Sequence, residues 1–360
     1  MTKRAVLILA GGRASRFQNR TSDWQDKALA KLLGKPLLIH AVENVRDVAD
    51  EIVICVNNET RKAEYAKTLT EHRIQNVSLV VDEKVSNVKG PKVAISTGLK
   101  SVKADYCLTL PCDMPLMQPK VADYLLTEAK RSRVVVPIWP NGRLETLVMA
   151  VERDSVLEIT DTLCQLRRPR SDDIIRGALN VSLISPFGQI RALDPELKSF
   201  VHINSQEDLA RLQPRQVQGP VSENMQLNLG VLPLSELQRL RNAATLRNEG
   251  NFTEASPVFS ACANRLEKEK SFFWASLSRE NEGTSLLQLS QRQNEPKSVA
   301  EKNDEGKAAL LAAVNNYGLE AEEFEVNNCR FLAERAKADR AWCESWVQDK
   351  LHKGKRFPPR

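Results

Sequence analysis

A short apolar run, Ala5-Val6-Leu7-Ile8-Leu9, empties into Ala10-Gly11-Gly12 and then into a polar stretch carrying Arg13, Arg16 and Arg20, closed by Lys27. Backbone N–H groups at Gly11 and Gly12 can hold phosphate oxygens without side-chain interference, and Arg16 and Lys27 add positive charge. Two glycines alone also suit an ordinary turn after a strand, where glycine merely supplies an unusual dihedral. The residues downstream separate the two readings. Asn57 stands just beyond a second apolar run, Asp82 beyond a third, and Cys112-Asp113 beyond a fourth. In an open parallel sheet, ligands bind outside the carboxyl ends of the strands. A polar residue at one edge after strand upon strand, with a basic glycine loop, points to a nucleotide site. Asp113 sits on stiff backbone, in Leu110-Pro111-Cys112-Asp113-Met114-Pro115. It reads either as a turn-forming Asp or as an oxygen ligand for Mg²⁺ that bridges to nucleotide phosphates.

The elements that must position these residues follow from periodicity. Short apolar runs at Ala5–Leu9, Glu51–Val56, Val77–Val81, Tyr106–Leu110 and Val134–Ile138 alternate with amphipathic stretches at Pro36–Val48, Glu59–His72, Pro91–Val102 and Pro119–Ser132. Pro36, Pro91 and Pro119 suit the first turn of a helix, where the missing N–H costs nothing. Apolar strands alternating with helices predict a mostly parallel sheet covered on both faces, an α/β, Rossmann-like three-layer domain. Thr146–Val151, Leu179–Ile184 and Ser199–Ile203 read as further strands. Ser205–Leu212 reads as a helix with Ser205 as N-cap and Asp208 at the capping-box position.

From Pro214 to Pro233 the pattern changes to two glycines and three prolines without helical period, predicting a linker or a strap on the first domain. An all-α domain is expected after it. The predicted division is thus 1–213, a linker at 214–233, and a helical domain at 234–360. Leu234–Glu249 reads as one helix, stopped at Gly250-Asn251-Phe252. Gly250, Phe252, Ala255, Phe259 and Cys262 match the second half of a tetratricopeptide-like unit. A second helical hairpin is expected over 271–293, a charged loop over 295–307, and helices over 298–316 and 319–351. Phe272, Phe273, Trp274, Trp342 and Trp346 are expected in its core.

Composition narrows the function class. The chain has 360 residues, is 42% hydrophobic and carries a net charge of +6 spread along its length. That balance suits an anionic substrate and does not point to nucleic acid. Only Lys350 to Arg360 is concentrated in basic residues, and it reads as a solvated tail. The seven cysteines show no CxxC spacing, so neither a disulfide framework nor a zinc site is expected. The apolar run after Arg4 is too short for a signal peptide, and no apolar stretch is long enough for a membrane span. The expected setting is cytoplasmic, with no membrane partner.

Leu9-Ala10-Gly11-Gly12, Arg16-Phe17, Asp26-Lys27, Gly34-Lys35-Pro36-Leu37, Gly90-Pro91, Pro111–Pro115 and Asn204–Leu209 stand in the order seen in MobA-like nucleotidyltransferases. Residues 3–212 resemble that family, and most closely its molybdenum cofactor guanylyltransferase type. The resemblance implies Mg²⁺-dependent transfer of GMP from GTP to a phosphorylated acceptor, molybdopterin in that type, with release of pyrophosphate. Adenosylcobinamide phosphate and sugar phosphates are the alternative acceptors, and a non-catalytic nucleotide-sensing scaffold is the alternative from another class. By matching positions, Leu9, Ala10, Gly11, Gly12, Lys27, Asn57, Asp82 and Asp113 would bind GTP, with Asp113 also holding Mg²⁺. Asn204 falls near the active site, and Arg16, Lys27 and Asp113 would act in catalysis. A phosphate nucleophile is already anionic and needs no strong base, which agrees with a chain of only four histidines. His40 and His202 are therefore expected to be structural. Arg143 and Glu145 lie in a loop that either grips the acceptor or is a surface turn. The sequence departs from the family in the long stretch Gln18–Gln25, in Ala94 after Gly90-Pro91, in His202 where asparagine is common, and in Ser205-Gln206. The helical domain lies beyond the resemblance and leaves room for a protein partner or self-association.

Overall fold

The computed structural model describes residues 2–12, 26–83, 90–168, 170–212, 223–292 and 295–348. Arg13, Arg16, Arg20, the stretch Gln18–Gln25, residues 214–222 of the expected linker and the basic tail from residue 350 lie outside the described residues. By packing, the chain divides into two units. One is Met1–Thr160 with Val181–Gln226; the other is Asp161–Asn180 with Leu227–Arg360. This division differs from a single boundary near residue 213, because a segment of the first half packs with the C-terminal helices.

The elements of the first unit and the joining segment run β1 (Arg4–Leu9), β2 (Lys31–Leu32), β3 (Lys35–Pro36), α1 (Leu37–Val45), β4 (Glu51–Val56), α2 (Glu59–Glu71), β5 (Val77–Val81), α3 (Pro91–Ser101), β6 (Tyr106–Pro111), α4 (Pro119–Glu128), β7 (Val134–Pro137), β8 (Met149–Glu152), α5 (Arg153–Gln165), α6 (Asp172–Ala178), β9 (Asn180–Ile184), a short α7 (Arg191–Leu193), α8 (Gln206–Arg211) and β10 (Met225–Asn228). Among the described residues, eight strands form one sheet in the order β10-β9-β7-β8-β6-β1-β4-β5. β1 lies parallel to both β4 and β6, β4 to β5, and β7 to β9, while β8 runs antiparallel between β6 and β7. The central strands are buried on both faces, so they read as unbroken apolar runs. The expected α/β sheet is therefore present, with Pro91 and Pro119 opening α3 and α4.

Two expectations need correction in this unit. Ser199–Ile203 is not a strand. Lys198–Phe200 is a tight helical turn, because the Ser199 N–H donates to Asp194 Oδ2 at 2.7 Å and the Ser199 hydroxyl accepts from the Gln118 N–H at 3.0 Å. The strap region contributes a sheet strand, β10, where its described part begins. The Ser205–Asp208 capping box is present at the start of α8 as expected.

The second unit is helical: α6, then α9 (Leu234–Glu249), α10 (Phe252–Lys268), α11 (Phe272–Ser290), α12 (Pro296–Val326) and α13 (Arg330–Gln348). Gly250 closes α9 with a φ of 90°, the left-handed cap that glycine adopts without strain. Ala255, Phe259 and Cys262 face inward on α10. The helix lengths of 16, 17, 19, 31 and 19 residues do not repeat a common unit. Where a second hairpin and a charged loop were expected, α11 is one continuous helix and α12 runs straight through the charged stretch. Lys302 and Glu305 pair one turn apart there, which is how a charged segment stays helical.

A buried ionic network joins α6 to α12 and α13. Arg176 is fully buried, with Nε and Nη2 donating to the two Glu320 oxygens at 2.7 and 2.8 Å. Its Nη1 donates to Asp339 at 2.7 Å and to Asp173 at 3.1 Å. Arg168 donates to both Asp173 oxygens and, at 2.6 Å, to Asp339. Beside it the Trp274 indole N–H donates to the Gly177 carbonyl at 2.8 Å, and a Cβ on Gly177 would stand 2.8 Å from Trp274 Cζ2. Removing one partner from such a cluster leaves buried charge uncompensated, at a cost of about 3–5 kcal/mol. Arg176→Ala is accordingly expected to lower unfolding stability by about 3–5 kcal/mol in urea titration. Arg176→Lys is expected to recover only a minor part, because a point charge cannot replace the guanidinium fork. An unchanged urea midpoint in Arg176→Ala would show that the network contributes nothing net.

Candidate active site

The strand register brings the candidate residues to one line. Leu9 stands opposite Cys55 on one side and Pro111 on the other, and Val56 stands opposite Val81. The ladder continues just past the strands: Ala10 N–H donates to Cys55 O, Asp82 N–H to Val56 O, and Cys112 N–H to Leu9 O. Carried one step further, that register sets Gly11, Asn57, Asp82 and Asp113 at the same level beyond the sheet edge. Leu9 and Ala10 are buried beneath them.

On the β4–β5 side, Gly11 lies against Asn57 and Asp82. A methyl group on Gly11 would stand 3.4 Å from Asn57 Cβ and 3.4 Å from Asp82 Oδ2, so glycine keeps that carboxylate uncovered. Gly12 faces open space. Asp82 Oδ1 is buried and has no hydrogen-bond partner among the described residues. Burial pushes its carboxyl pKa up from 3.8 to about 6. A desolvated acceptor without a donor is costly to leave unpaired, which suits a ligand that brings donors.

On the β6 side, the Lys27 ammonium donates to Asp113 Oδ2 at 2.7 Å and to Asn204 Oδ1 at 2.9 Å. Lys27 opens a single helical turn, Lys27–Leu29, capped by Asp26. The extended stretch before Asn204 is locked to the same site, since Ile203 N–H donates to Asp113 O at 2.9 Å. The structure therefore brings together Lys27, Asp113 and Asn204, three of the candidate residues. Arg16 lies outside the described residues. Among the described residues no three His, Cys, Asp or Glu side chains come close enough together to hold a metal ion. Asp113 thus belongs to no cluster of three such groups among the described residues, and a single carboxylate fits a cation drawing its other ligands from phosphates and water.

Around this line stand groups that sequence reasoning left in minor roles. Asp26, quoted only within a motif, is a node: its Oδ1 caps Ala28 N–H at 3.0 Å, and its Oδ2 accepts from the Tyr65 hydroxyl and pairs with Arg61 Nε, both at 2.9 Å. Arg61 and Tyr65 are one turn apart on the buried face of α2 with Thr68 and Leu69, and that spacing was the available signal. His202 is tied by Nε2 to Glu145 Oε2 at 3.1 Å, and Glu145 Oε1 accepts from the Trp139 indole N–H at 2.6 Å. Burial pushes Glu145 up, but its bonds to His202 and Trp139 outweigh this and hold it below the usual carboxylate range. Glu145 is buried, whereas Arg143 sits exposed in the turn opened by Asn141. Cys112, beside Asp113, has its thiol pushed up to about 12 by burial and then by the neighbouring Asp113 charge, so it is no nucleophile at neutral pH.

The MobA-like NTP transferase domain matches residues 6–177. A protein of Thermococcus sibiricus named "Probable molybdenum cofactor guanylyltransferase" is 32% identical over 213 residues, covering 57% of this chain and 95% of that protein. A protein of the same name from Pyrococcus horikoshii is 30% identical, covering 58% of this chain and 97% of its own length. The chain belongs to the MobA-like nucleotidyltransferase family. A Methanosarcina acetivorans relative of the same name is 28% identical, covering 57% of this chain and 88% of its own. The family resemblance read from the motifs at residues 9–12, 111–115 and 204–209 is therefore shown, and the chain is a nucleotidyltransferase. MobA-like nucleotidyltransferases are generally dependent on a divalent metal. Among the described residues no helix is long and apolar enough to cross a membrane.

The raised Asp82 pKa gives a stability test independent of any ligand. Its folded value lies above the unfolded one, so between about pH 4 and pH 6 the folded chain binds more protons than the unfolded chain. The contribution is present in full below that window and is lost as pH rises through it. Asp82→Asn, which cannot ionise, is expected to match the parent at low pH and to exceed it in thermal midpoint above pH 6. Parallel midpoint curves across that range would show that Asp82 is not desolvated.

Proposed function

We propose that this nucleotidyltransferase moves GMP from GTP to the terminal phosphate of a phosphorylated acceptor, molybdopterin, with release of pyrophosphate. The observation that carries the reading is the Lys27 ammonium fixed between Asp113 and Asn204, on the same strand-end line as the unpaired Asp82 carboxylate. One end of the site thus has a placed cation for phosphates, and the other has acceptors for a base. The N1–H and 2-amino group of guanine offer two donors side by side, which a carboxylate accepts with both oxygens; adenine and the pyrimidines lack that pair. The names of the relatives support guanine on independent grounds.

In the reaction an oxygen of the acceptor phosphate forms a bond to the α-phosphorus as the bond from that phosphorus to the bridging oxygen breaks. The bond's electron pair leaves with pyrophosphate. The nucleophile is already anionic, so no proton must be taken from it. What the chain supplies is position and charge. Lys27 offsets charge building on the phosphate oxygens, Gly11 and Gly12 leave backbone N–H groups accessible, and Asn57 and Asp82 hold the base. Asp113 is the residue that would hold Mg²⁺ against the phosphates. When bound, the ion neutralises phosphate charge and polarises the phosphorus.

Pyrophosphate release with each nucleoside triphosphate crossed against molybdopterin, adenosylcobinamide phosphate and sugar phosphates tests the reading. Turnover is expected with GTP and molybdopterin. Turnover only with another acceptor reassigns the substrate, and no turnover with any pair favours a nucleotide-sensing scaffold. Lys27→Ala is expected to lower kcat by about 10²–10³, the loss typical of one fixed charge donor. Asp113→Ala is expected to abolish metal-dependent release with the fold intact by circular dichroism.

A further inference from the structure

Each end of the stretch between Gly12 and Asp26 is held by the same buried side chain. Arg61 Nη1 donates to the Gly12 carbonyl at 2.9 Å, and Arg61 Nε pairs with Asp26 Oδ2 at 2.9 Å. The same Nη1 lies 3.4 Å from Asn57 Oδ1. The two charged side chains are 7% and 6% exposed, so they are not placed to touch a substrate. Tyr65, one turn along α2, donates its hydroxyl to Asp26 Oδ2 at 2.9 Å. The other Asp26 oxygen caps the turn on which Lys27 is the first residue.

We propose that Asp26, Arg61 and Tyr65 are positioning residues for nucleotidyl transfer: they bracket the glycine loop to α2 and set where the Lys27 ammonium stands. The inference rests on the transfer reading above for its kinetic readout, though not for its chemical one. A buried ion pair is a poor source of stability, since desolvation offsets most of the attraction. What it supplies is geometry, and here the geometry is that of the site. A guanidinium presents donors in a fixed planar fork, so holding Gly12 O and Asp26 Oδ2 at once fixes the spacing between the two loop ends. Asp26 passes that constraint to Lys27 through the cap. Because Arg61 also reaches the Asn57 amide oxygen, the base side and the phosphate side share one anchor. A displacement near 1 Å of a catalytic group can cost on the order of 10² in rate.

The test uses the full chain with Arg61→Ala, Arg61→Lys and Asp26→Asn. Arg61→Ala is expected to lower kcat about 10- to 100-fold while the KM for the triphosphate moves far less. Millimolar guanidinium is expected to restore part of that kcat saturably, and to do nothing for Lys27→Ala. A merely destabilised fold would be harmed by guanidinium, not rescued. Arg61→Lys and Asp26→Asn are expected to fall between the parent and Arg61→Ala. Acylation of Lys27 by acetic anhydride, read by mass spectrometry against the exposed Lys31, needs no turnover. It is expected to rise several-fold in Arg61→Ala as the ammonium loses its fixed pairing. Parent-like labelling of Lys27 in Arg61→Ala overturns the bracket, as does activity that merely tracks the folded fraction with no response to guanidinium. If the parent turns over no triphosphate, the transfer reading fails while the labelling still decides the bracket.

Discussion

One ammonium group holds the site together. Lys27 Nζ binds Asp113, 86 positions away, and Asn204, 177 positions away. A Lys side chain has four rotatable carbons, and freezing it is costly unless both ends are fixed. Here the backbone end is fixed by the Asp26 cap and the charged end by two acceptors. Asp113 neutralises the charge, with Lys27 and Asp113 side chains only 12% and 24% exposed, so the site carries no bare, half-buried cation before an anion arrives. The three segments cannot drift independently, because Ile203 N–H also ties the Asn204 segment to the Asp113 carbonyl.

Much of this was legible in the chain. A buried parallel strand must be apolar throughout, and its end is the first place a polar group meets solvent. Asn57, Asp82 and Asp113 could therefore be placed at one edge from their position after apolar runs, and the register confirms the alignment. Arg61 and Tyr65 were not legible in the same way. An arginine at an inward helical position looks like solvent-facing charge until its partner is known, and that partner, Asp26, lies 35 positions earlier, in a loop without periodicity. The turn at Lys198–Phe200 was missed for a related reason: side-chain bonds from Asp194 and Ser199 decide the backbone there, and a β-branched pattern does not report them.

The helical unit shows the same limit at larger scale. A change of composition near residue 214 suggests a boundary, yet packing assigns Asp161–Asn180 to the C-terminal unit. The cause is chemical. Arg168, Asp173 and Arg176 lie within the span matched by the family domain, but their charges are satisfied by Glu320 and Asp339 from α12 and α13. Burial lowers the pKa of Arg176, and the surrounding carboxylates, led by Glu320, reverse this and raise it well above its ordinary value. Fully buried guanidinium groups need carboxylates, and α6 with the loop before it supplies only Asp172 and Asp173. The extension is therefore not a module appended after a finished domain, since it completes the charge balance of residues inside that domain's own span.

Asp82 is governed by the opposite arrangement, and the contrast explains which buried charges here are structural and which are available. Both oxygens of Asp173 and of Glu320, and Oδ2 of Asp339, accept from arginines. Asp26 has both its oxygens engaged, by a cap, a phenol and a guanidinium. Asp82 alone in this comparison keeps an oxygen, the buried Oδ1, without a donor among the described residues, while its Oδ2 lies on the side of Gly11 at the end of β5. Burial without compensation raises its pKa, whereas the arginines around Asp173 overcome burial and lower it there. Gly11 maintains the opening, because any larger residue would place its side chain against the carboxylate and against Asn57. The unsatisfied oxygen and the glycine beside the same carboxylate thus lie together at the end of β5.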